Sequence, residues 1–259
     1  MPIPKEWNLS GKSIILTTGD RGWGPIISAG LASAGANIVI LGNRQKILDE
    51  SEECALFYKN KVLTINTDLT NPEETNEAIE KSVSFLGRLD ILVNDTQTEF
   101  SKPFLEITPL EYDLVMNRNM KSVFLCCQSA LRHMVINNKG KIVNKGKIVN
   151  FASVLAERGV AHETAYSSSM AAIEQFTRSL AIELARTGVT VNGIGTGWYT
   201  TENIPLEQQR EDPLVRYLPS RRLGDPKEII PLLILLCSDM SSYMNGQTIF
   251  VDGGSMTHA

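Results

Sequence analysis

Ser13-Ile14-Ile15-Leu16-Thr17-Thr18-Gly19-Asp20-Arg21-Gly22-Trp23-Gly24 decides how this chain is read. The run Ser13–Thr17 is short and apolar, suited to one buried strand, and it ends in a turn with three glycines. The small, apolar stretch Pro25–Ala34 follows at helical spacing, with proline in the first turn, where its missing N–H costs nothing. Strand, glycine turn and helix in that order open many nucleotide-binding α/β sheets, because N–H groups at the helix N-terminus can face a pyrophosphate. Such turns also exist for packing alone, so the rest of the chain must supply the context.

It does so by repeating the alternation. Strand-like runs recur at Asn37–Leu41, Val62–Asn66, Leu89–Val93, Lys147–Phe151, Val189–Ile194 and Gln247–Val251. Helical stretches lie between them at Gln45–Lys59, Pro72–Phe85, Glu111–Val135, Thr164–Thr187 and Pro226–Ser238. Short apolar runs separated by helices are the pattern of parallel strands buried on both faces. No Pro/Ser-rich linker interrupts it. The pattern predicts a single α/β domain over residues 1–259, a doubly wound parallel sheet of about seven strands with helices on both faces. One irregularity lies at 138–149, where Asn138–Val143 (NKGKIV) is repeated as Asn144–Val149. Six is an even number, so either copy keeps the strand's alternation. Only the second runs into Asn150–Ser153, so it is expected to form the strand, with the first bulging into an enlarged loop.

Of the 259 residues, 25 are Lys or Arg and 29 are Asp or Glu, a net charge of −4. That balance offers phosphate backbones no broad attraction, so nucleic acid is not an expected partner. The longest apolar stretch, Ile229–Cys237, contains Pro231 and is too short for a membrane span. The opening MPIPKEWNLSGK has no apolar core of a secretory signal. Cys54, Cys126, Cys127 and Cys237 lack any C-x-x-C spacing and read as thiols in a reducing cytoplasm. His133, His162 and His258 are isolated, so no metal is expected.

Along the chain stand Gly11-Lys12, Asp68, Leu89-Asp90-Ile91-Leu92-Val93-Asn94, Asn119, Ser153 thirteen residues before Tyr166, Val191-Asn192, Gly224-Asp225-Pro226 and Val251-Asp252-Gly253-Gly254. Together these stretches resemble the short-chain dehydrogenase/reductase family nearly end to end. Within the family the chain is similar to gluconate and deoxygluconate dehydrogenases. The resemblance implies a Rossmann-type fold and an oxidoreductase that uses NAD(P)(H) on a small hydroxy or keto compound, sugar-acid or polyol-like. It also implies a homotetramer and a variable substrate lid around Trp198–Tyr217. Tyr166 would be the acid–base, Ser153 the partner of the substrate oxygen, and Asn119 the holder of a water in a proton relay. Thr17, Gly19, Arg21, Gly22, Gly24, Arg44, Asp68, Leu69 and Asn94 would bind the cofactor. An acid on the ribose 2′-OH would stand at Gly42, which is followed by Asn43 and Arg44; with Arg21 as a second guanidinium, NADP is favoured over NAD. The alternative is that both arginines are solvated surface charges.

The departures are as informative. The family's T-G-x-x-x-G-x-G has Thr18 at its first glycine, leaving Gly19 to supply a positive φ. Its N-N-A-G reads Asn94-Asp95-Thr96-Gln97, and its P-G reads Thr196-Gly197. Its Y-x-x-x-K reads Tyr166-Ser167-Ser168-Ser169-Met170. A phenol near its free pKa of about 10 is a poor catalyst at neutral pH without a neighbouring cation. Met170 carries no charge, and no Lys or Arg follows on that helix before Arg178. Loss of an acid–base partner costs about 10²–10⁴-fold, so a Met170→Lys change is expected to raise ketone reduction about 10²-fold. The leading expectation is therefore a weak or atypical oxidoreductase. A non-catalytic relative that binds nucleotide or a partner subunit is the alternative, and a non-redox Ser–Tyr enzyme is a third.

Overall fold

The computed structural model describes residues 7–19, 21–135, 146–202 and 204–257. Its strands are β1 (Ser13–Thr18), β2 (Asn37–Gly42), β3 (Val62–Asn66), β4 (Ile91–Asp95), β5 (Lys147–Ser153), β6 (Thr190–Thr196) and β7 (Thr248–Val251). All pair in parallel, in the order β3-β2-β1-β4-β5-β6-β7. Strand order reverses between β1 and β4, and a crevice opens there at the C-terminal ends, the usual ligand position in such sheets. The helices are α1 (Gly24–Ser33), α2 (Gln45–Leu56), α3 (Pro72–Leu86), α4 (Pro109–Met116), α5 (Ser122–Val135), α6 (Thr164–Glu183), α7 (Leu206–Gln209), α8 (Pro213–Tyr217) and α9 (Ile230–Cys237).

Alternate strand residues go to opposite faces. Ile15, Val39 and Leu41 pack with Ile79 of α3, Val123 of α5 and Ile173 of α6. Ile14, Leu16, Ile38 and Ile40 pack with Ile27 and Leu31 of α1, Leu48 of α2 and Leu233 of α9. Local chemistry fixes the helix ends. Asn71 accepts the Glu73 and Glu74 N–H groups at the start of α3, and Gly87, at φ 80°, stops it. Thr108 and Glu111 close a reciprocal cap on α4.

Three expectations need adjusting. The long helix expected over Glu111–Val135 begins earlier and is two helices joined by a π-turn at Asn117–Lys121. Strand β4 starts at Ile91 rather than Leu89; Asp90 instead accepts the Ser13 N–H at 3.0 Å and pairs with Arg88. The implied tetramer cannot use Val123 of α5 or Ile173 of α6 as contacts, since both are buried in the core. The second hexapeptide copy does open β5, with the buried Lys147 donating to Ser241 Oγ at 3.2 Å. The first copy, and with it the expected loop, lies outside the described residues. Among the described residues no helix is long and apolar enough to cross a membrane.

Candidate active site

The ends of β5 and β6, the start of α6 and the segment after β4 surround a cavity of about 700 Å³. Ser153 lines it from the end of β5 and Tyr166 from the first turns of α6. Thr98–Ser101 form another wall, and Trp198–Glu202, the beginning of the expected lid, form the outer one. Glu99, Glu163 and Glu202 give the lining three carboxylates beside many hydroxyls.

Ser153 and Tyr166 line the same cavity, with the Ser153 side chain near enough to bear on the phenol's titration. What surrounds Tyr166 is different. Its hydroxyl donates to Gln97 Oε1 at 3.1 Å, a side chain far larger than the expected glycine. Met170, one turn on, is 0 % exposed and part of the same apolar cluster. Burial pushes the phenol up to about 12, with Glu99 and Asp95 adding to the rise, while the Arg21 charge and the Ser153 side chain oppose it. The group is therefore a firmly protonated phenol at neutral pH.

Asn119 sits in the π-turn, fully buried, and does not face the cavity. Its Oδ1 accepts the Thr98 N–H at 2.8 Å, and its Nδ2 donates to Thr98 O at 3.1 Å and Ser169 Oγ at 2.9 Å. Both amide protons are used in joining the segment after β4 to α6, so the side chain has none left for a relay water. Asn94, expected near the cofactor, is likewise internal: its Nδ2 donates to Asn150 Oδ1 at 2.8 Å between β4 and β5. Thr17 is also buried, its Oγ1 accepting the Asp95 N–H at 3.2 Å.

Arg21 corrects the expectation most. Rather than offering its guanidinium to a 2′-phosphate, it turns inward and pairs with Asp95 at 2.5 Å, the two side chains being 7 % and 2 % exposed. Its Nη1 donates to Thr196 Oγ1 at 3.1 Å, and its guanidinium carbon lies 3.7 Å from the centre of the Trp23 ring. Asp95, the acid that replaces the second asparagine of the motif, supplies the reason: a buried carboxylate needs a counter-charge. Burial raises its pKa, and the Arg21 charge and hydrogen bond draw it back down.

The glycine turn is also built differently from the expectation. Gly22, at φ 73°, takes the left-handed conformation that Gly19 was expected to supply. Gly19 serves close approach instead: a Cβ there would lie 2.6 Å from the Thr96 carbonyl carbon and 2.7 Å from Gln97 N. The turn rests directly on the backbone that follows β4. Beyond that contact lies a separate cavity of about 200 Å³, lined by Thr18, Gly19, Gly42, Asn43, Asp68, Leu69, Thr96 and Arg118, among others. Gly19, Asp68 and Leu69 of the expected cofactor set border it. Gly24 heads α1, and Arg44 is exposed at the N-cap of α2, outside that lining. Arg118, which the sequence did not single out, lines the small cavity; Gln97, whose departure from glycine the motif had marked, lies buried behind the large one, where it meets Tyr166.

The implied dinucleotide can be tested against these residues. The small cavity, with Asp68 and the ends of β2 and β3, suits a nucleoside end, and the large one suits a carbonyl compound. The strip between them does not fit the rest: Gly19 is closed on Thr96–Gln97, Arg21 and Asp95 fill the crevice, and Gln97 holds the phenol.

Known proteins resemble this chain throughout. A family model described as enoyl-(acyl carrier protein) reductase matches residues 18–256. A 3-oxoacyl-(acyl-carrier-protein) reductase of Aquifex aeolicus is 33 % identical over 251 residues, 96 % of this chain and 99 % of that protein. The 5-keto-D-gluconate 5-reductase of Escherichia coli is 32 % identical over 257 residues, covering 96 % and 97 %. Among solved structures, a short-chain type dehydrogenase/reductase from Mycobacterium marinum superimposes with a TM-score of 0.87 at 27 % identity, over 98 % of this chain and 99 % of that one. With a seven-stranded sheet of the same kind and a match over nearly its whole length, the chain belongs to the short-chain dehydrogenase/reductase family.

Proposed function

We propose that this chain is a ligand-binding member of an oxidoreductase family in which the proton relay has been dismantled. Family members use NAD(P) cofactors, and the relatives above are named for reducing 5-keto-D-gluconate or 3-oxoacyl-(acyl-carrier-protein). In this reading the large cavity takes a small hydroxy or keto compound, with Ser153 and Tyr166 hydrogen-bonding its oxygen and the 198–217 segment covering it. The observation that carries the reading is the environment of Tyr166: its proton is directed at Gln97, and an uncharged Met170 stands where a cation would stabilise the phenolate. Charge favours a neutral polyol over a sugar acid, because three carboxylates line the cavity while Arg21 is neutralised by Asp95.

Residues 1–259 form one domain in this reading, and the protein works as a cytoplasmic homotetramer. Leu110 and Leu114 on α4, Phe124 on α5 and Ile182 on α6 are exposed apolar side chains suited to a second copy. The test combines calorimetric titration of polyols and sugar acids with an assay of NADH and NADPH consumption on the corresponding ketones. Polyol binding that weakens in Ser153→Ala, without turnover, supports the proposal. Turnover near an ordinary enzyme's rate of about 10 s⁻¹ would refute it.

A further inference from the structure

We infer that Arg21 is a built-in occupant of the dinucleotide crevice, so that this chain excludes intact NAD(H) and NADP(H). The inference goes beyond the proposed function, which rests on the surroundings of Tyr166 and not on the crevice. Arg21 leaves the turn after β1 and reaches Asp95 at the end of β4 (2.5 Å) and Thr196 at the end of β6 (3.1 Å). Between them it passes the Phe151 ring of β5, 5.9 Å from the guanidinium carbon. One side chain thus lies across the C-terminal edge of the sheet, over the point where strand order reverses. That is where α/β sheets of this order receive their ligands.

Three features hold it there. Withdrawing the guanidinium would strand the Asp95 carboxylate in a buried site, and a dinucleotide could not replace it, because a pyrophosphate brings negative charge to that carboxylate. The guanidinium also covers the Trp23 face at 3.7 Å. Beside it Gly19 is packed on the Thr96 and Gln97 backbone so closely that no Cβ would fit. Arg21 Nε is buried without a hydrogen-bond partner, so the guanidinium is fitted to Asp95, Thr196 and Trp23 at the cost of one unsatisfied donor. Arg21 and Asp95 lie 74 residues apart in sequence, and neither replacement alone would build the strap.

The test titrates the full-length protein with NADH and with NADPH, following energy transfer from tryptophan, since Trp23 and Trp198 line the large cavity. The wild type is expected to show no saturation up to about 1 mM of either nucleotide. The Arg21→Ser/Asp95→Asn double variant removes both charges together and strands neither. It is expected to gain at least about tenfold in affinity. Asp95→Asn alone, nearly isosteric, is expected to gain less and serves if the double variant does not fold. Micromolar binding of either nucleotide by the wild type overturns the inference. So does a folded double variant, or failing that a folded Asp95→Asn, with no gain. Wild-type binding without ketone reduction would remove the strap and leave the proposed function standing, whereas absence of polyol binding would remove only the latter.

Discussion

Met170→Lys puts the lost cation back beside Tyr166, and its effect can be worked out before any cofactor is considered. The two residues are one turn apart on α6, where i and i+4 side chains stand about 5–6 Å apart. A unit charge at about 6 Å in an effective dielectric of about 20 is worth about 3 kcal/mol, or about 2 pH units for the phenol. Tyr166 should therefore fall from about 12 to near its ordinary value of about 10. The opposing cost is burial. Met170 is 0 % exposed among apolar neighbours, so an ammonium there should destabilise the fold by several kcal/mol. Ultraviolet phenolate titration, differenced against the same protein carrying Tyr166→Phe, isolates this tyrosine from the other five. A folded Met170→Lys protein whose Tyr166 still titrates at the wild-type pH would refute the reasoning, because the lysine would then have shed its proton or turned away. The sequence alone led to the expectation of about 10²-fold faster ketone reduction. With Arg21 lying in the crevice, that gain should appear only when Met170→Lys is combined with Arg21→Ser/Asp95→Asn.

Other perturbations separate the remaining contributions. Arg21→Ala should lower stability in urea by about 3–5 kcal/mol, since it strands a buried carboxylate, and adding Asp95→Asn should recover much of the loss. Asn119→Ala removes three hydrogen bonds between the segment after β4 and α6 and should cost about 2–3 kcal/mol, read as a lower denaturation midpoint. The raised Tyr166 pKa stabilises the fold fully below about pH 10, and that contribution is lost as pH rises from there toward about 12. Tyr166→Phe should therefore flatten the alkaline limb of the stability curve. Glu111 is held down to about 2 by hydrogen bonds from Lys102 and from the Thr108 backbone and hydroxyl. Its contribution is complete above about pH 4.5 and fades as pH falls toward 2; Glu111→Gln should weaken the acid dependence of α4 seen by hydrogen exchange.

The sheet was legible because each strand announces itself locally. Ser13–Thr17 and Asn37–Leu41 are short apolar runs with turns at their ends, and they pair in the register the alternation requires. The break in the helix at Asn117–Lys121 was not legible, since no proline or glycine marks it; it is held by Asn119, whose partners lie at Thr98 and Ser169. The site was half legible. Tyr166 and Ser153 follow from their spacing, and Met170 from its position in the motif. The direction of Arg21 did not, because it depends on an aspartate on another strand. A motif read one residue at a time treats Asp95 as a loss and Arg21 as a guanidinium for a 2′-phosphate. Only the fold shows that each explains the other.

Strand β5 also bears on how the chain finds its fold. Its first four residues, Lys147-Ile148-Val149-Asn150, have an identical twin at Lys141-Ile142-Val143-Asn144, six positions upstream. During folding the β4 edge meets two equivalent candidates, and nothing in those four residues distinguishes them. The decision falls to what comes next: in the shifted pairing Lys145 would stand where Phe151 packs and Lys147 where Ser153 faces the cavity. Discrimination is thus postponed until β5 closes against β6, and chains that chose the wrong twin must open and pair again. The duplication makes a decoy of ordinary core sequence, a frustrated step in an otherwise consistent landscape. Deleting Asn138–Val143 removes the decoy and should speed refolding, read by stopped-flow fluorescence.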